Sequence, residues 1–236
     1  VKVTAKNTVT TTDVLAAGAV AGTGAGVSLA PIVNVFTNST NAYIQGGSVD
    51  NAQTTVDAQS DINVISAILG VSGSGVGASV SGFAGVNVFD NELNSYISDV
   101  SFTNAQSTSV SSTANLNLDG IIGVIGINGV GASVLVNGIV NVIKNNVNAY
   151  IADSSISGGS VSVSAIQNSD IDNTTASIAA NGVGAAVSAN TLVSVLTNNL
   201  NANITKTSTD VDSLTVNANN KQDISNNNIG IGASGT

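Results

Sequence analysis

The sequence predicts an all-β solenoid, on three observations: an internal repeat of about 53 residues, alternation of β-branched residues at period 2, and no helical signal. The repeat shows first as the signature G-x-G-A. It occurs at Gly22–Ala25, Gly75–Ala78, Gly129–Ala132, Gly182–Ala185 and Gly230–Ala233. The second glycines stand at 24, 77, 131, 184 and 232, so the steps are 53, 54, 53 and then a shortened 48. Four copies align in columns without gaps. Val27, Val80, Val134 and Val187 form one, and Val33, Val86, Val140 and Val193 another. Val35, Val88, Val142 and Val195 form a third, and Ile44, Ile97, Ile151 and Ile204 a fourth.

Each element follows from the residues. In Ala132–Ile143 the residues Ala132, Val134, Val136, Gly138, Val140 and Val142 alternate as one face, which predicts a strand with that face inward. Clusters of Gly, Asn, Asp and Ser between such runs predict turns. A single proline, Pro31, and no run of helix formers exclude parallel strands joined by crossover helices. Strands stacked coil on coil bury their inward residues against the coils above and below. A unit of about 53 residues reads as too long for one coil, so two or three coils per unit are expected. That makes roughly 9–13 coils and about 45–60 Å of length. The chain is then one repeat-array domain over 1–236, a piece of something longer; a β-sandwich would explain the strands but not the period.

Phe36, Phe89, Ile143 and Leu196 share a column opposite in parity to the valines, as do Ile32, Ile139 and Leu192. Two readings stand. A loop or neighbouring coil covers them as a second small core, or Phe36, Phe89, Ile143 and Leu196 form an exposed interaction ridge. The Asn38, Asn91, Asn145, Asn198 and Asn41, Asn94, Asn148, Asn201 columns allow side-chain ladders along the stack. Ordinary turn asparagines are favoured over ladders, because equivalent residues would lie two or three coils apart.

Composition bounds the function. The chain has 14 acidic residues, five lysines and no arginine, for a net charge of −9. Nucleic-acid binding and docking on an anionic membrane surface both need clustered cations, so neither is expected. Membrane insertion by this segment is not expected either, since no long unbroken apolar run occurs and aromatics are only 3%. With no His and no Cys, the usual nucleophile systems and zinc sites are excluded. Asp170/Asp172 and Asp210/Asp212 each put two carboxylates at i,i+2, which suits Ca²⁺ or acid/base work. A β-helix enzyme acting on acidic polysaccharide would also need cationic groups, and the lysines are scattered. Solvated surface aspartates are the expected reading. No catalytic residue, metal or cofactor is predicted, and the chain is not expected to be an enzyme.

The run Gly129–Ile151, G-V-G-A-S-V-L-V-N-G-I-V-N-V-I-K-N-N-V-N-A-Y-I, resembles repeats of very large exoproteins of Gram-negative bacteria. These are the filamentous-haemagglutinin-like adhesins and the fusobacterial leukotoxin type. The resemblance implies a right-handed parallel β-helix, exported by type V secretion and displayed at the outer-membrane surface or released. It implies a shaft that presents or contributes to binding of a host-cell protein or glycan, with flanking repeats of the same chain as neighbours. It supplies no catalytic residues.

Overall fold

The computed structural model describes residues 1–235. Among them every regular element is a strand: β1 (Lys2–Asp50), β2 (Gln53–Thr103), β3 (Ser107–Ala152), β4 (Ser155–Ser157), β5 (Ser160–Thr205), β6 (Ser208–Asp210) and β7 (Ser213–Ser234). All pairings are parallel and belong to one sheet. The expected all-β solenoid of parallel strands is therefore what the chain forms.

The number of coils is not as expected. Val27 pairs with Val80, Val80 with Val134 and Val134 with Val187. Neighbouring coils are one sequence unit apart, so each unit is a single coil rather than two or three. At about 4.8 Å per coil the four and a half units rise only about 20 Å.

A coil this long closes by flattening. Hydrogen bonds between its two long arms show the path: Ser60 Oγ to Asn91 Oδ1 at 3.2 Å, Ser66 Oγ to Asn87 Oδ1 at 3.4 Å and Ser177 Oγ to Asn190 Oδ1 at 2.9 Å. Nearest the bend, the Asn128 amide donates to the Ala132 carbonyl. The sequence separation falls from 31 to 21, 13 and 4 towards G-x-G-A. The motif is thus the apex of a wedge whose arms run outward and back, with the short strands β4 and β6 on the opposite, base side.

The apex needs glycine for two reasons. Gly24, Gly77, Gly131 and Gly184 all have positive φ, from 101° to 139°, where a Cβ is strained. A Cβ on Gly131 would also overlap the carbonyl oxygen of Gly77 in the next coil. At the base, Gly46, Asp99, Asp153 and Lys206 share one left-handed corner, and Asn51, Asn104 and Gly158 another. The base also absorbs the one irregularity in the repeat. Asp50 pairs with Thr103, 53 residues on, whereas Gln53 pairs with Ser107, 54 residues on. The extra residue sits in the turn between them.

The apex also reverses side-chain parity. In β3 the buried residues are even-numbered from Thr108 to Asn128 and odd-numbered from Ser133 to Ile151. The valine face is consequently outward: Val27, Val136, Val187 and Val195 are exposed. The predicted inward face was the wrong one. Period 2 defines two faces but does not say which is inside; here the larger Phe, Leu and Ile side chains fill the space between the arms.

The interior holds three apolar clusters from base to apex. The base cluster includes Val56, Leu93, Ile97, Val110, Val147 and Ile151. A middle one gathers Val64, Phe89, Leu118, Ile143 and Ile171. The apical one contains Ile68, Phe83, Ile122, Leu135 and Ile139.

The fifth signature is not an apex. Gly230–Ala233 pairs with Ser177–Ala180 in an arm. Ser234 lies beside Asn181, which puts Gly235 level with Gly182. The step stays at 53 and nothing has been lost; a four-residue glycine motif recurs by chance in so glycine-rich a chain.

Candidate interaction surfaces

The ridge residues are core. Phe89 and Ile143 are 2% and 1% exposed, and Phe36 and Leu196, in coils nearer the ends, pack against the same cluster. Phe36 stacks on Phe89 with ring centroids 5.1 Å apart. Ile139 is buried too, with Ile32 and Leu192 packed beside it. The structure therefore corrects the ridge reading of Phe36, Phe89, Ile143 and Leu196 and agrees with the covered-core one. The valine columns stand outside instead.

One asparagine column is a ladder over three coils and the other pairs at one step, contrary to the preference for ordinary turn residues. On the outer face of the return arm Asn94 Nδ2 donates to Asn41 Oδ1 at 2.8 Å, and Asn148 Nδ2 to Asn94 Oδ1 at 2.9 Å. In the interior Asn145 donates to Asn198 at 2.9 Å. One coil per unit brings equivalent residues next to each other, which removes the objection raised by distance. A further interior ladder runs from Asn34 to Asn87 to Asn141 at 2.9 and 2.8 Å.

Two outward surfaces at the base half carry polar recognition chemistry. On the return arm, Tyr43, Tyr96 and Tyr150 stack at 4.9 and 5.0 Å with rings within 5° of parallel. They lie two residues from the Asn41–Asn94–Asn148 ladder, so amides and aromatic rings form adjacent stripes on one face. Burial, followed by the neighbouring Tyr96, pushes the Tyr150 hydroxyl pKa up. On the outgoing arm a shallow groove of about 580 Å³ is lined by Asp61, Asn63, Asn115, Asn117, Asn168 and Asp170 among others. Asn168 donates to Asn115 and Asn115 to Asp61, both at 2.8 Å, and Lys6 reaches Asp61 at 2.9 Å. Burial raises the Asp61 pKa, but hydrogen bonds from Asn115, Lys6 and Gln59 and the Lys6 charge together hold it below its ordinary value.

Asp170 and Asp172 lie on one outward face as predicted, with Asp172 paired in register to Asp119 and Asp170 to Asp223. Burial first, then the charges of Asp172 and Asp170, raise the Asp119 pKa. Among the described residues no three carboxylates are placed to hold a metal ion. Asp210 and Asp212 do not share a strand face: Asp210 ends β6 and Asp212 is in the corner beyond it.

The sequence reasoning missed the tyrosine stack and the Asp61–Asn115–Asn168 ladder. Three tyrosines in register were visible as a column; that they face solvent was not, because parity was assigned the wrong way round. No family model matches the chain, and neither a curated protein nor a solved structure does.

Proposed function

We propose that this chain is a structural and interaction segment of a secreted or surface-displayed bacterial adhesin or exotoxin, a shaft that carries binding surface. The observation behind this reading is the register: one unit makes one coil, and Val, Asn, Ile and Gly columns stack through the whole array. Such an array lengthens without a joint, because each coil offers its successor the same edge. The repeat resemblance to Gram-negative exoproteins supports export and display at the outer-membrane surface. The test is a series with one to four extra units. Particle length should grow by about 4.8 Å per added unit; growth in width or a compact globule would overturn it.

A second reading is a ligand-binding module proper, and the Asn41–Asn94–Asn148 and Tyr43–Tyr96–Tyr150 stripes favour it. Stacked rings beside amides suit the apolar and hydroxyl faces of a glycan. Labelled chain should bind epithelial or white blood cells saturably, with loss of at least tenfold in affinity for Tyr96→Ala. Unchanged binding by that variant would move the site elsewhere. An enzyme acting on polysaccharide ranks last; turnover that vanished in Asp170→Asn/Asp172→Asn would promote it.

A further inference from the structure

We infer that the apical half of the solenoid embeds in the hydrocarbon layer of a lipid bilayer. Residues 14–36, 67–89, 121–143 and 174–196 contain no Asp, Glu, Lys or Arg. In each coil this stretch is centred on the apex, so it covers the upper part of both arms and the bend between them. In the second and third coils no outward residue from 67 to 88 or from 121 to 142 carries a polar side chain. Ile121, Ile125 and Ile127 stand on one face, Val136 and Val142 on the other, and Val130 at the tip is 48% exposed.

Three features point to lipid rather than to a protein partner. The apolar surface is on both faces and around the tip, whereas a partner chain seats on one face. It ends near the same part of both arms: Asp119 and Asn117 follow Ile121 on the outgoing arm, and Lys144 follows Val142 on the return arm. Its depth also fits. From Val130 to Ile121 is roughly 30 Å of extended chain, and from Val130 to Val142 roughly 40 Å, against about 30 Å for a hydrocarbon core.

The interior completes the match. At this level the polar side chains are turned inward, and several pair with one another: Asn87 with Asn141 at 2.8 Å, Asn141 with Asn173 at 3.0 Å and Ser79 with Ser133 at 3.1 Å, while Ser72 Oγ and Ser81 Oγ have no partner. An apolar exterior with the polar side chains kept inside is the arrangement that suits hydrocarbon. Backbone groups of the inner coils are paired from coil to coil. The expectation of no insertion rests on the lack of a long apolar run and on aromatics being only 3%. The apolar residues alternate along the chain and gather into one surface only through the stack. With a net charge of −9 the attraction is hydrophobic and not electrostatic.

The chain has no cysteine, which makes single-cysteine labelling clean. A polarity-sensitive fluorophore is placed at Val136→Cys in the apical half or at Asn146→Cys in the basal half, and neutral phosphatidylcholine vesicles are added. The Val136→Cys label should shift to the blue and become shielded from an aqueous quencher, while the Asn146→Cys label should not. The chain should float with the vesicles equally at low and high salt, and Val136→Asp/Val140→Asp, with its β-signal intact, should stay behind. A folded chain that does not float overturns the proposal. So does a blue shift that needs no lipid and grows with protein concentration, which would assign the face to a second copy.

Discussion

The basal and apical halves of each coil share a backbone, a pitch, a parallel register and an apolar filling between the arms, yet their exteriors differ in kind. At the base, Val56, Val110 and Leu93 are inside while Asp57, Asn94 and Lys144 are outside. In the apical half, Phe83, Leu135 and Ile139 are inside beside Asn87, Asn141 and Ser133, while Leu69, Ile127 and Val136 are outside. Inter-coil backbone hydrogen bonds are indifferent to side-chain type, so the ladder continues unbroken through both. The fold is carried by the backbone register and by whatever fills the gap between the arms; the outer columns are left free to suit their medium.

The largest test lies at the waist, where the halves meet. Phe89→Ser removes a buried ring stacked on Phe36 and should cost about 3–5 kcal/mol in a chemical-denaturation curve. A variant as stable as the parent would restore the exposed-ridge reading and separate the two halves into independent units.

The next test compares neighbours in the apical half. Leu135→Ala, inside, should cost about 2–5 kcal/mol, whereas Val136→Ala, outside, should stay within about 0.5 kcal/mol. Equal costs would mean that the apical exterior is packed against something even in water. That pair therefore measures parity directly.

The smallest effects belong to the basal exterior. Asp61 is held below its ordinary pKa, so its contribution is present above the unfolded value and lost as pH falls through the folded one. Asp119 is raised by burial and by Asp172 and Asp170, so its contribution is present in acid and lost as pH rises through the raised value. Melting temperature against pH should then shift oppositely for the two variants. At neutral pH Asp61→Asn should lower it slightly and Asp119→Asn should raise it slightly. The same sign for both would discount these surface electrostatics.

Much of this architecture could be read from residues alone. The Val, Ile and Asn columns named the residues that pair, down to the extra step between the second and third coils. Strand character followed from alternation in Ala132–Ile143. Orientation did not follow, because a valine column is as compatible with an outer face as with an inner one, and only the Phe83, Phe89 and Leu135 side chains filling the gap decide it. Coil count did not follow either: 53 residues read as too many for one coil, and nothing in the spacing reveals that the coil flattens into two arms. The acidic pair Asp170/Asp172 was placed correctly, while Asp210/Asp212 was split by a corner that spacing does not reveal.

The basal turn has an implication for how such chains change over generations. It accepted one extra residue between Thr103 and Ser107 while the registers on either side stayed regular. A gene encoding this array can gain or lose a whole unit by recombination between neighbouring copies, and a small mismatch at the join falls in a turn that tolerates it. Each such event adds or removes one rung, so length is inherited as a count, and related chains should differ in steps of a unit far more often than in fractions of one.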